Sequence, residues 1–510
     1  MDSSSVSKKV FRGTVVIVLV GILAKVASFI EEAILAAYLG TTFQSDAYYM
    51  VWSIQSVVYP MLSIGIWKVF LPLYKSHVSK NENDSAFDLT NKSLSFFTLV
   101  SIVVVVLMVI FAPVVVSVVA PGFKGETREL CIKLTRISAP MYVFIIASAV
   151  YASVLQCHNK FFGSQIREIV SHFPPIIAAI FFYKIFGIEA MAVSLVVAGL
   201  VRLLIELPFV DWGYRYKVDL RFKCKEFKLM LKRLPSALIS AGVVQLNTLV
   251  DKMMASTLPT GTISGLNYGH KLMNVFSGLL SSAIATAMYP QMIELIALEK
   301  KEELGNLVVR IINIFSILMI PVTVACVLFR VELVSAVFER GAFDSNSTDL
   351  TSSVFALYCL GLFFIACNTV ISNIFYGYGD TRREMLISIA FVGTNVLLNV
   401  VLVNVWGVNG LALATSLSAI LSFFIRLGAV KRYVCLQLKR LMLTGMKVLV
   451  VSLVSCIIPR IVFWCVPINK YIVIIVSATI GVCIYIVGVM AWKVPEVYDL
   501  FKLFKKKKRL

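Results

Sequence analysis

The sequence predicts an all-α integral membrane protein of about fourteen transmembrane helices: two parallel six-helix bundles related by pseudo-two-fold symmetry, plus two extra C-terminal helices. Three observations predict it. Of 510 residues, 59% are hydrophobic and only 15% charged, and the mean hydropathy is +0.87. A soluble domain of this size does not tolerate that balance. Apolar stretches long enough to cross a bilayer recur along the whole chain. Finally, the chain says much the same thing twice. Ala36, Leu39, Thr41, Ser45 and Tyr49 fall without gaps on Ala255, Leu258, Thr260, Ser264 and Tyr268, about 219 residues on. Chance gives roughly one match in such a window, so the echo marks a duplication.

The apolar stretches place spans near 14–38, 46–71, 93–119, 134–156, 166–186, 189–210, 235–258, 267–295, 308–329, 351–376, 385–405, 409–430, 443–465 and 470–492. The turns Phe186-Gly187-Ile188 and Trp406-Gly407-Val408-Asn409-Gly410 are short, so spans five and six, and eleven and twelve, are tight hairpins. The repeat offset lays spans one to six onto seven to twelve. Six is even, so both halves enter the membrane the same way, a parallel repeat. The predicted organisation is a six-helix bundle over 1–214, a basic linker over 215–234, a second bundle over 235–435, and two extra helices with a basic tail over 436–510. The first span carries Lys25, Glu31 and Glu32 and no small-residue cleavage site, so it reads as retained.

Lysine and arginine set the orientation. With the N-terminus inside, the inside segments hold Lys8, Lys9, Arg12, Lys75, Lys80 and Lys92, the eight basic residues from Arg215 to Arg233, then Lys300, Lys301, Arg382, Arg383, Lys431, Arg432, Lys439 and Arg440. The outside segments hold chiefly Lys124, Arg128, Lys133 and Arg340. Both termini are therefore predicted to be cytoplasmic. The net charge of +20 collects in loops and in the run Lys505-Lys506-Lys507-Lys508-Arg509. It reads as an anchor beside anionic headgroups, with membrane lipids and not nucleic acid as the partner. Most of the ten cysteines lie in apolar runs without a CxxC pair, and read as small apolar residues with free thiols.

Charges inside spans are costly and mark function. Lys25 and Glu32 are two helical turns apart and share a face. Glu31 lies beside them, Lys68 lies late in span two, Asp251 and Lys252 lie in span seven, and His270 and Lys271 open span eight. Arg202 and Glu206, four apart in span six, read as a local ion pair. No HExxH, no GK[ST] loop and no Cys/His metal spacing occurs, which excludes the common hydrolase and nucleotide signatures. Without an ATP site, energy comes from an ion gradient, product consumption or the membrane potential, at about 2.3 kcal/mol per charge per 100 mV.

The ordered landmarks resemble the MurJ/MviN lipid II flippases within the superfamily of multidrug and oligosaccharidyl-lipid exporters. They are Gln245-Leu246-Asn247, Asp251, Ala255-Ser256, Ile263-Ser264, Asn267-Tyr268 and Lys271-Leu272-Met273, supported by Ser45-Asp46-Ala47-Tyr48-Tyr49, Ala120-Pro121-Gly122-Phe123, Arg340-Gly341-Ala342-Phe343 and Phe375-Tyr376 to Gly379-Asp380-Thr381. The resemblance covers the whole chain. It implies a non-enzymatic flippase of the bacterial plasma membrane. Such a flippase moves a polyprenyl-pyrophosphate-linked peptidoglycan precursor from the inner to the outer leaflet by alternating access, with cell-wall synthesis proteins as partners. The implied substrate cavity holds Lys25, Glu31, Glu32, Asp46, Lys68, Lys252 and Lys271. Lys25 and Lys271 would meet the pyrophosphate as point charges; the competing reading pairs Lys25 with Glu32 and Lys252 with Asp251. Asp46 matches an acid that serves as a gating contact. The family's cavity is rich in arginine, and here Lys25, Glu31 and Lys271 stand at such positions. That departure keeps open a flippase for another lipid-linked glycan of capsule, O-antigen or teichoic type. A cation or drug antiporter and a membrane glycosyltransferase fit less well, for want of an acid-dominated cavity and of a large catalytic loop.

The resemblance also implies sodium as a coupling ion and no other cofactor. The matching positions are Asp251, Asn395, Asn399, the Leu411 carbonyl and Thr415. Asn399 replaces an acid, which weakens such a site. Interhelical hydrogen bonding accounts for the same asparagines and threonine equally well.

Overall fold

A computed structural model describes residues 3–210, 214–222, 225–464, 470–492 and 496. Among them the regular elements are all helical. The basic run Lys505–Arg509, Cys224 and Cys465 lie outside the described residues. The other eight cysteines are free thiols.

Two compact units divide the chain, Met1–Ser264 and Gly265–Leu510. The first holds α1 (Ser3–Leu39), α2 (Phe43–Ser79), α3 (Asn83–Ile110), α4 (Ala112–Val119), α5 (Gly125–Ser138), α6 (Met141–Cys157), α7 (Phe161–Val170) and α8 (Phe173–Ile177), then a π-turn over Ala178–Phe182, α9 (Tyr183–Phe186), α10 (Glu189–Glu206) and α11 (Lys225–Ala255). From α12 (Thr262–Ala297) the chain enters the second unit. There it forms α13 (Lys301–Leu328), α14 (Arg330–Phe338), α15 (Ser345–Cys359), α16 (Leu362–Gly377), α17 (Thr381–Trp406), α18 (Val408–Val430), α19 (Leu438–Trp464) and α20 (Lys470–Ala491).

Among the described residues nine helices are long and apolar enough to cross a membrane, and two bent pairs, α5–α6 at 43° and α15–α16 at 41°, raise that to eleven. Three further helices of spanning length, α1, α11 and α12, carry the in-helix charges Lys25, Glu31, Glu32, Asp251, Lys252 and Lys271. Together they account for the fourteen predicted spans in order.

The duplication is visible in the backbone of each unit. Both repeats run a long helix, a short one begun at a phenylalanine (Phe111, Phe329), and a bent pair. Among the described residues, the ten with positive φ fall into five equivalent pairs: Gly40 with Gly261, Asn81 with Glu299, Gly125 with Gly341, Asn159 with Gly379, and Gly187 with Gly407. Asn81 (φ 59°) and Glu299 (φ 54°) lack the freedom of glycine and still adopt the left-handed turn. The matching helix–helix turns override side-chain preference.

Each unit has its own core. In the first, Phe70 and Tyr74 of α2, Leu89 and Phe97 of α3, and Tyr142, Val150 and Tyr151 of α6 pack with Phe227 and Met230 of α11. In the second, Ile311, Phe315 and Met319 of α13 pack with Val370, Ile374 and Phe375 of α16 and Phe423 of α18. The two extra helices dock on α13: Val448 and Val451 of α19 and Val489 of α20 close over Ile317, and the Tyr485 hydroxyl donates to the Ile317 carbonyl at 2.7 Å. Beyond α20, Glu496 accepts from Arg440 of α19 at 2.7 Å and from Asn313 of α13 at 2.9 Å.

Candidate functional site

In the first unit a tightly built polar feature centres on Asp46, the fourth residue of α2. Thr42 caps that helix, its hydroxyl accepting from the Ser45 N–H at 3.2 Å and its own N–H donating back to Ser45 Oγ at 2.9 Å, a reciprocal capping box. The cap fixes the first turn and aims the buried Asp46 at the start of α12. Its Oδ2 accepts from the Gly261 N–H at 2.6 Å, and its Oδ1 accepts from the N–H and the hydroxyl of Ser264, each at 2.8 Å. The first amides of a helix have no partner within it, and they favour an anion. Asp46 thus caps α12 from another helix. Backbones meet closely here: a Cβ on Gly261 would lie 2.7 Å from the Thr41 carbonyl oxygen. Beside it the Gly122 N–H donates to Ser256 Oγ at 3.1 Å, and a Cβ on Gly122 would lie 2.1 Å from the Ser256 carbonyl oxygen. The α1–α2, α4–α5 and α11–α12 turns are therefore latched together.

The remaining sequence-predicted residues of this unit spread over different environments. Lys25 and Lys68 are exposed, whereas Glu32, Asp251 and Lys252 are buried. The Lys252 ammonium sits 5.2 Å above the Trp52 ring, a cation–π contact. Glu31 bonds His172 Nδ1 at 2.5 Å, a partner that the scattered histidines of the sequence did not reveal.

Arg202 and Glu206 do not form the local pair expected from their spacing. Arg202 reaches Glu168 and the Tyr59 hydroxyl, each at 2.5 Å, while Glu206 takes Arg167 at 3.4 Å and the Ser148 hydroxyl at 2.6 Å. With the helix buried on this face, each side chain is better satisfied across the α6–α7–α10 contact than along its own helix. The second unit builds the same device from exchanged positions. Arg426 pairs with Glu384 at 2.6 Å, and Ser372 and Ser388 donate to the same carboxylate at 2.9 and 3.2 Å. At an offset of about 220, Glu168 stands where Ser388 stands, Arg202 where Ser422 stands and Glu206 where Arg426 stands. The offset is a signal in the sequence that points from Glu206 to Arg426, whereas Glu384 falls on Ser164, outside the first device.

In the second unit Lys271 is half-buried, and His270 meets the Tyr358 ring edge-on at 5.4 Å. The predicted sodium-site residues of this unit lie together. Asn399 Nδ2 donates to Asn395 Oδ1 at 3.0 Å, Asn395 Nδ2 to Thr415 Oγ1 at 3.4 Å, and Thr415 Oγ1 to the Leu411 carbonyl at 3.2 Å. Both asparagines are fully buried. The set is all oxygen on its accepting side, which suits a hard monovalent cation, and the same chain of bonds ties α17 to α18.

Known proteins are similar to this chain in sequence and in fold. The family model described as "Lipid II flippase MurJ" matches residues 35–481. The chain is 25% identical over 462 residues to the probable lipid II flippase MurJ of Rickettsia prowazekii (strain Madrid E), covering 88% of each chain. It is 25% identical over 410 residues to that of Rhizobium tropici, covering 78% of this chain and 76% of the relative. Among solved structures, a lipid II flippase MurJ in an inward closed conformation superposes with a TM-score of 0.82 at 21% identity, covering 96% of this chain and 100% of that one. An inward-facing multidrug-resistance MATE transporter of the MOP superfamily gives 0.67 at 14% identity, covering 80% and 95%.

Proposed function

Because the chain belongs to the MurJ lipid II flippase family, a family of multi-pass proteins of the bacterial plasma membrane, we propose that it carries lipid II from the inner to the outer leaflet by alternating access. The observation that carries this reading is the match over 35–481, which takes in the first repeat from the end of α1, the second repeat, and most of the two extra helices. It favours lipid II over capsule, O-antigen or teichoic-type substrates, since the relatives are named for lipid II. The Asp46 latch supports alternation: it is a closed contact made by hydrogen bonds that can exchange with water. With both termini cytoplasmic, as the lysine and arginine bias predicts, the latched turns lie on the outer side.

Lys25 and Lys271 are the proposed pyrophosphate contacts, with Lys68 as a further cation. Glu31 opposes phosphate least when His172 holds its carboxylate, as it does here. Na+ is the proposed coupling ion. Asp251, Asn395, Asn399, the Leu411 carbonyl and Thr415 are the positions that the family resemblance implies would hold it. The enzymes that make and consume lipid II are the proposed protein partners, and no covalent step is assigned to the chain itself.

Two measurements test this. Expression in cells depleted of their own lipid II flippase should restore growth; normal membrane insertion without rescue overturns the substrate. Native mass spectrometry with lipid II should show binding weakened about tenfold in Lys25→Ala and in Lys271→Ala, the effect of one lost charge-assisted contact. Unchanged binding in both removes the phosphate site.

A further inference from the structure

The α7–α10 hairpin of the first unit holds an apolar groove of about 650 Å³. Ala178, Ala190 and Ser194 form its floor and are buried; Phe173, Phe182 and Val197 form its walls and are 49%, 45% and 40% exposed. The repeat shows why it opens. Gly410 of the second unit lies so close to α17 that a Cβ there would be 2.2 Å from the Leu402 carbonyl oxygen. The equivalents of Gly410 and Leu402 in the first repeat are Ala190 and Phe182. The added methyl forbids that approach. Pro174 and Pro175 stand where the second repeat has Thr394 and Asn395, and they remove two amide donors from the helix. The result is the sequence α8, π-turn, α9 in place of the single unbroken α17. A π-turn inside a helix commonly marks a functional site. The two repeats have diverged at one place: the second carries Asn395, Asn399 and Thr415, and the first carries Pro175, Ala179 and Leu195 at the same positions.

We propose that this groove binds one hydrocarbon chain of a membrane phospholipid. Its helices cross the bilayer, so water and polar ligands are excluded from its mouth. Its length fits one leaflet. From Glu189 to Val201 along α10 it runs about 18 Å at 1.5 Å per residue, against about 15 Å for half of a bilayer's hydrocarbon core. Its outer end carries headgroup chemistry: Glu189, at the first turn of α10, bonds Lys133 of α5 at 2.6 Å, and Lys133 remains 60% exposed. That ammonium is placed for the phosphate of a lipid whose chain lies in the groove. The site is independent of the flippase reading, because it needs only a membrane and this hairpin.

The test uses the full chain in nanodiscs of phosphatidylglycerol carrying a photoactivatable diazirine in one acyl chain. Peptide mapping should find adducts over 170–201 at least fivefold denser than over Leu397 and Val401 of α17, which are 70% and 60% exposed. Ala190→Phe, which fills the floor, should lower the groove adducts to the α17 level and leave the α17 adducts unchanged. Ser194→Leu repeats the measurement in case the first variant does not insert. Equal adduct density on the two hairpins in the wild type overturns the proposal. So does groove labelling that survives in a folded filling variant, or cross-linking of 170–201 to a second protein chain in place of lipid.

Discussion

Replacing Asp46 by alanine should release the start of α12. The carboxylate accepts three hydrogen bonds, from the Gly261 N–H and from the N–H and hydroxyl of Ser264. Bonds to a charged group contribute about 1.5–3 kcal/mol each. They are not additive, and removing Asp46 also removes the cost of burying it, so a net loss of about 2–4 kcal/mol is expected. At about 1.4 kcal/mol per factor of ten, the latch should open some 30- to 1,000-fold more often. Hydrogen exchange reads this directly. Ser264 is the third residue of α12, where an amide has no acceptor within its own helix. Its protection, and that of Gly261, therefore comes from Asp46. Mass-spectrometric exchange over a peptide spanning 257–266 should lose the protection of those two amides in Asp46→Ala. Asp46→Asn keeps one acceptor and loses the charge, so it should fall between the two, at about 5- to 30-fold. Identical exchange in wild type and Asp46→Ala would refute the latch.

Arg426→Met leaves Glu384 buried and unpaired, and should cost about 3–5 kcal/mol of stability; thermal denaturation in detergent should show that loss and its partial recovery in Arg426→Met/Glu384→Leu. Asp344 caps α15, accepting from the Ser347 N–H and hydroxyl at 2.8 Å, and these bonds hold its carboxyl below the usual carboxylate range. A depressed pKa stabilises the fold above the unfolded value and loses that effect as pH falls through the folded one. Asp344→Ala should therefore lower the melting temperature near pH 7 by the equivalent of about 0.5–1 kcal/mol, and the gap should close toward pH 3.

Much of this architecture was legible in the chain because its causes are local. Apolar runs place the helices wherever a bilayer is the solvent, and the echo of Ala36–Tyr49 in Ala255–Tyr268 gave the duplication before any coordinate. Asp46 and the Asn395–Asn399–Thr415 set were singled out by resemblance to the family's motifs. Arg202 and Glu206 were misread as partners because spacing along one helix says nothing of what a neighbouring helix offers. Glu168 and Arg167 lie far from them in sequence and opposite them in space.

By itself, then, the sequence determined the solvent, the helix order, the repeat and the family, since hydropathy and motif order need no third dimension. Only tertiary structure decided the partners of the buried charges: Asp46 with Gly261 and Ser264, Glu31 with His172, Arg426 with Glu384. A buried charge is satisfied by whichever groups packing brings within about 3 Å, and packing is a property of helix faces. The same holds for the α7–α10 groove, where one methyl at Ala190 and two missing amides at Pro174 and Pro175 acquire meaning only against the close approach of Gly410 to Leu402 in the other repeat.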